Sequence, residues 1–202
     1  MDTEGTEEKI LRAAEEIFHQ KGFEGARMQE IADHANINKG LLHYYFKSKN
    51  KLFETIFSKA MGKMIMKVGL IMKGEQPFME KIDAFIDQYM ELLMRNPYVP
   101  RFVLNELNRD PERFVQSLIT KHDFKSRIGG YLQSFESAVE NGEISPIDPK
   151  QLLINIISLC IFPFIGRPMI QGIIGMDNEE FKYFMKSRNE QVKKFVKNSI
   201  KK

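Results

Sequence analysis

Apolar residues recur every three or four positions along almost the whole chain, the spacing of amphipathic helices. No alternating run bounded by Asn-Gly or Asp-Gly turns marks a strand. A first helix is predicted over residues 6–20, with Ile10, Ala14, Ile17 and Phe18 on one face. Thr6 is placed to cap it, and Glu7 and Glu8 suit the positive end of its dipole. Gly22 can take the left-handed conformation that ends a helix. A second helix reads over 28–35, with Ile31, Ala32 and Ala35 inward. Asn is the non-glycine residue most tolerant of positive φ, so a sharp turn is predicted at Asn36. Asn38 can cap a short third helix running through Tyr45. Ser48 or Lys49 opens a long fourth one, to about residue 72, with Leu52, Phe53, Ile56 and Phe57 on one side.

After the break at Gly74-Glu75-Gln76-Pro77, further helices are predicted over 78–95, 100–109, 111–141, 148–175 and 178–200. Asn96-Pro97, Asp110-Pro111, Asn141-Gly142 and Pro146 punctuate them. Gly129-Gly130 marks a candidate break within the third. The fourth carries Leu152, Leu153, Ile156, Ile157, Leu159 and Ile161, is apolar on more than one side, and so must be buried on more than one side. Its Phe162–Pro168 stretch is predicted to kink the helix. The last helix brings Phe181, Phe184, Met185, Val192, Phe195 and Val196 near one face. The fold class is therefore all-α. Two short helices joined by a tight turn behind a longer one make a helix-turn-helix module over residues 1–50. A connecting helix over 49–72 leads into a helical body spanning 51–202.

Charge sharpens this picture. The net charge of the 202 residues is only +3, but its distribution is uneven. Residues 1–33 carry nine acids against four Lys/Arg, whereas residues 34–53 carry Lys39, Lys47, Lys49 and Lys51 and no acid. A basic cluster on one short element is the electrostatic footprint expected of a nucleic-acid contact. The one cysteine, Cys160, cannot build a disulfide framework or a zinc site, which points to a reducing compartment. The acidic, polar start is not a signal peptide, and no apolar run reaches the roughly 20 residues of a membrane span. A cytoplasmic protein without membrane contact is expected. The four histidines, at 19, 34, 43 and 122, show no metal-ligand spacing, and no G-x-S-x-G or phosphate-cradling glycine loop appears. No catalytic residue, metal or cofactor is expected.

The stretch ILRAAEEIFHQKGFEGARMQEIADHANINKGLLHYYFKSKNKLF resembles the N-terminal DNA-binding domain of the TetR family of bacterial transcriptional regulators. Gly22-Phe23, Ile31-Ala32, Lys39-Gly40, Tyr45-Phe46 and Ser48-Lys49 fall in the family's order and spacing. The later helices fit the family's ligand-binding and dimerisation domain in length and helical character. The resemblance implies an all-α homodimer that pairs through its last two helices and binds a double-stranded DNA operator. It also implies a small-molecule effector whose binding moves the two reading heads apart. The expected function is a ligand-responsive regulator, a repressor released by a largely apolar effector. The alternative is a helical ligand-binding protein without specific DNA binding, suggested by the acidic first helix and by departures from the family pattern at Arg27, Leu41 and His43.

By family position, Tyr44, Tyr45, Lys47 and Lys49 take phosphate roles. Gln29, Lys39, Gly40, Leu41 and His43 are base-reading candidates. Gly40 allows close approach, and Leu41 can pack on a thymine methyl. Asn38 opens the reading helix, and Arg27, where the family usually has a Ser or Thr cap, is within reach of a phosphate. The effector pocket is expected among Phe85, Tyr89, Met90, Phe102 and Phe124, with Tyr131, Phe135 and Phe164 completing an apolar lining. Glu106, His122 and Arg167 are its expected polar anchors. The fourth helix, expected to be the sole link between head and pocket, would carry the signal.

Overall fold

The computed structural model describes residues 5–122 and 124–201, and of His122 and Lys125 the backbone alone. Among these are eleven helices and no strand. The first four are α1 (Thr6–Gly25), α2 (Met28–His34), α3 (Lys39–Tyr45) and α4 (Lys49–Lys73). Gly22 takes φ +69°, as expected, and one irregular turn follows it before Ala26 N–H closes on the Gly22 carbonyl. Thr6 does not cap α1; the N-cap is Gly5, without a side-chain bond. Asn36 is the described non-glycine residue with positive φ, at 54°. Asn38 Oδ1 accepts the Leu41 N–H at 2.8 Å, so the predicted cap of α3 forms, and Ser48 Oγ accepts the Lys51 N–H at 3.2 Å and caps α4. At α2 an arginine stands at the cap and has no acceptor to offer. Glu30 reaches back to the Arg27 N–H at 3.4 Å, and Lys21 Nζ, 2.9 Å from Glu30, holds that carboxyl below the ordinary carboxylate range.

The head closes over Ile10, Phe18, Ile31, Leu42, Leu52 and Phe53, all fully buried. Each such side chain contributes about 1.5–3 kcal/mol on leaving water. This core does not stop at residue 50. After α5 (Phe78–Arg95), helices α6 (Val99–Arg109) and α7 (Pro111–His122) add Val99, Phe102 and Phe114 to it. The Phe102 ring lies 4.4 Å from Phe53, and Tyr98 lies 5.2 Å from it. The expectation that the fourth helix alone joins head and body is therefore overturned: α6 also packs on the head. Lys49, expected to face phosphate, is turned inward. Its Nζ donates to the carbonyls of Phe23 at 2.6 Å, Ala26 at 3.1 Å and Glu24 at 3.3 Å, and sits 4.5 Å over the Phe23 ring. The end of α1 leaves carbonyls without helical partners, and Lys49 gathers them onto the start of α4.

The body is built round α5, whose Ile82, Phe85, Ile86, Met90 and Leu93 are buried. Helices α4, α8 (Phe124–Glu140), α9 (Pro149–Ile165) and α11 (Asn178–Ile200) enclose it. Polar contacts fix α11 on α5: Lys197 Nζ meets Asp83 at 2.8 Å, and Lys193 Nζ and Asn189 Nδ2 each meet Asp87 Oδ1 at 2.7 Å. The predicted helix over 111–141 is two helices, and it continues unbroken through Gly129-Gly130, because a helix tolerates glycine at about 1 kcal/mol each. Phe195, expected inward, is 63% exposed.

The expected kink is present within the Phe162–Pro168 stretch, at Gly166, while Pro163 itself lies inside α9. Proline has no N–H for the carbonyl four residues back, which here belongs to Leu159. Arg188 of α11 donates to that carbonyl at 2.9 Å and replaces the missing bond. The bend falls at Gly166, where α10 (Arg167–Ile174) leaves α9 at 74°.

Two stability outcomes follow. Arg188→Ala leaves the Leu159 carbonyl unpaired and should cost about 1–3 kcal/mol, lowering the melting temperature by roughly 2–4 °C per kcal/mol. An unchanged melt, with the helical circular dichroism intact, would show that water serves as well as the guanidinium. Lys49→Ala should destabilise by a similar amount, about 1–3 kcal/mol, read by urea unfolding; a midpoint matching the parent would show that the staple contributes nothing.

Candidate nucleic-acid interface

α3 is anchored by two side chains and leaves the rest outside. Leu42 is fully buried and Phe46 nearly so, while Lys39, Gly40, Leu41, His43, Tyr44 and Tyr45 are exposed. Tyr44 stands furthest out, 79% exposed, with Tyr45 packed edge-on against it at 5.5 Å. Gly40 has a reason within the fold as well: a Cβ there would come within 3.2 Å of the Asn38 Oδ1 that caps the helix.

The four lysines of the basic stretch divide. Lys49 is engaged with carbonyls, and Lys51 lies 3.4 Å from Glu54. Lys39 and Lys47 are exposed, and neither has an ion-pair partner among the described residues. Gln29 and Arg27 flank α3 from α2 and are exposed; Gln29 Nε2 donates to Asp33 at 2.8 Å, which holds its amide in place. The result is one convex face with two unneutralised ammonium groups, a tyrosine hydroxyl at its crest, and Leu41 and His43 at its centre. Its width is that of a single helix, which the major groove admits.

The expected pocket residues are not gathered in one place. Phe85, Tyr89, Met90, Tyr131 and Phe135 are buried in the body's core, and Phe164 and Phe124 are partly buried. Burial pushes the Cys160 thiol up to about 12 and the Tyr89 hydroxyl upward as well, so this core stays uncharged at neutral pH. Phe102 belongs to the head's core. Buried Glu106 is paired with Arg109 at 2.5 Å, beside the head. Arg167 is exposed on α10, 4.9 Å over the Phe181 ring and bonded to Gln171 and Asn178. The His122 side chain lies outside the described residues. Two open clefts flank α4: one of about 770 Å³ against α1 and α5, and one of about 430 Å³ against α5 and α8. Among the described residues no His, Cys, Asp or Glu cluster is arranged to hold a metal, and no single helix is long and apolar enough to cross a membrane.

Comparison with known proteins bears on this face directly. A model of the bacterial regulatory proteins of the tetR family matches residues 10–56, and one of the tetracyclin repressor-like C-terminal domain matches residues 79–196. The chain is 28% identical over 151 residues to the uncharacterized HTH-type transcriptional regulator YhgD of Bacillus subtilis, covering 70% of this chain and 73% of that one. It is 24% identical over 198 residues to the probable HTH-type transcriptional regulator YttP of the same organism, covering 95% and 92%. Its fold is similar to that of a TetR/AcrR-family regulator from Thermobifida fusca, with TM-score 0.67 at 19% identity, covering 93% of this chain and 96% of that one. The C-terminal match alone spans more than half of the chain, and the N-terminal match falls on the helix-turn-helix just described. This protein belongs to the TetR family of bacterial transcriptional regulators.

Proposed function

We infer that the protein is a ligand-responsive repressor, a homodimer that leaves its operator when a small effector binds. The observation that carries the DNA half of this reading is the exposed face of α3, with Lys39 and Lys47 lacking an ion-pair partner among the described residues. Tyr44, Tyr45 and Lys47 contact phosphate, and Arg27 adds a further cation at the edge. Lys39, Leu41 and His43 read bases, with Gln29 beside them. Phosphate contacts position the head and base contacts specify the site.

The dimer half is supported by apolar side chains left outside. Ile154, Phe162 and Ile165 form one stripe of α9, 56%, 48% and 37% exposed. Tyr183 and Phe195 on α11 are 76% and 63% exposed. A two-fold pairing of these helices covers the stripe and sets the two α3 helices about one DNA turn, roughly 34–36 Å, apart. Both α4 and the Tyr98–Phe102 contact of α6 then carry movement of the body into the head. The effector acts only if it binds the DNA-free shape better than the DNA-bound one.

Binding to the protein's own upstream DNA, against random DNA across a salt series, tests the first half. A specific complex should weaken steeply with salt. Lys47→Ala should weaken every sequence alike and reduce the salt slope by about one, and Tyr44→Phe should cost about tenfold, the worth of a bond to a charged oxygen. A Lys47→Ala protein with unchanged slope would remove Lys47 from the interface, and absence of any low-salt complex would sink the regulator mechanism as drawn. For the second half, Ile154→Glu should halve the mass seen by sedimentation while the helical signal persists; a persistent dimer would place the seam elsewhere.

A further inference from the structure

Gly69 lies near the C-terminal end of α4, buried, between Ile65 and Met72 on the same face. Glycine there costs about 1 kcal/mol against alanine, so its presence calls for a reason. The reason is Arg127 of α8. A Cβ at position 69 would stand 2.7 Å from the Arg127 Cδ and 2.9 Å from its Cζ. The guanidinium is thus laid on the backbone of the helix that carries the reading head. It has no hydrogen-bond or ion-pair partner among the described residues, and its Nε is buried. Buried polar groups are satisfied in the great majority of cases, and an orphaned one needs an explanation.

The cleft between α4, α5 and α8 begins one helical turn away, since its walls Met72 and Gly130 follow Gly69 and Arg127 by three residues. Further along the same stripe of α8, Ser134 Oγ accepts from Lys81 Nζ at 3.0 Å. Lys81 also has no carboxylate partner among the described residues. Of the cleft's two acids, Glu143 is engaged with the Phe78 N–H at 2.9 Å, and Glu75 stands on the loop beyond α4. Phe78, Met72 and Ala138 supply an apolar wall. Lys81 lines the cleft beside that wall and Arg127 lies about one helical turn below it, a pair of cations suited to an organic anion, and a guanidinium suits the planar, bidentate geometry of carboxylate or phosphate.

We propose that Arg127, seated on Gly69, receives the carboxylate or phosphate of a small organic anion that enters by this cleft, with Lys81 as the second cation. This deepens the ligand-responsive reading by naming the chemical class of its effector. It also supplies the coupling, because drawing the guanidinium toward an anion changes what α4 rests on.

Calorimetry on the full-length protein tests this with three probes that share one phenyl body: benzoate, phenyl phosphate and the neutral benzamide. At least one anion should bind in the millimolar range or tighter, and benzamide should bind at least tenfold more weakly. Arg127→Gln should lose at least tenfold in affinity, Arg127→Lys should retain part of it, and Lys81→Gln should lose less. Gly69→Ala displaces the guanidinium, so it should weaken the anion without lowering the melting temperature, which separates loss of the site from loss of the fold. Which anion binds decides between carboxylate and phosphate. Equal binding of benzamide, unchanged affinity in folded Arg127→Gln, or no binding of either anion would overturn the proposal. Operator release is measured separately: an anion that binds through Arg127 yet leaves operator affinity unchanged upholds the site and defeats the ligand-responsive reading alone.

Discussion

The Phe53 ring sits where α1, α4 and α6 meet. It contacts Phe18 and Phe23 of α1, Tyr98 at the start of α6, and Phe102, with centroids 4.4–5.2 Å away. Aromatic pairs at such distances add about 0.5–1.5 kcal/mol each beyond the area they bury. The same ring belongs to α4, which runs on into the body for five further turns. A head held by one helix would swing about that helix. A head held by α4 and by the α6 rings together moves as they move, so a displacement of α4 against α6 is passed on rather than absorbed in a joint. Lys49 completes this by locking the end of α1 to the start of α4, close to the same cluster.

Much of the head was legible because its signals are local. A positive φ at Gly22, a turn at Asn36, a cap at Asn38 and a helix start at Ser48 or Lys49 depend on a few neighbouring residues, and local steric rules decide them. What was not legible depends on partners distant in sequence. A lysine in a basic run reads as a phosphate contact until the carbonyls of residues 23–26 are seen to fill its coordination. Helical spacing identifies Phe102 as buried, but not that it is buried against the head. Among the DNA-facing candidates Lys39, Lys47, Tyr44 and the centre of α3 share one exposed face, whereas the expected pocket residues divide between two cores and the surface. Aromatic stripes report burial, and burial alone does not separate a cavity from a packed interior.

Glycine misled in one place and informed in another. Gly129-Gly130 suggested a break, yet α8 runs through both; neither would meet a neighbour within 4 Å if it carried a Cβ, so no close approach explains them. Gly69 drew no attention in the sequence, although its missing side chain is the seat of a guanidinium. The difference is that a helix accepts glycine anywhere at modest cost, whereas the reason for one at a particular position lies on the facing helix.

The run of α9 through Pro163 joins these points to the dimer. Ile154, Phe162 and Ile165 share one stripe because the helix continues through the proline between them. That continuity rests on Arg188, which reaches from α11 to the Leu159 carbonyl. The guanidinium therefore sets both the straightness of α9 and its register against α11, the two helices whose outer apolar residues would have to align with those of a second copy. The bend at Gly166 lets α10 turn away at the end of the stripe rather than interrupt it. A backbone defect of α9 is thus repaired by its neighbour, and the surface available for pairing owes its shape to that repair.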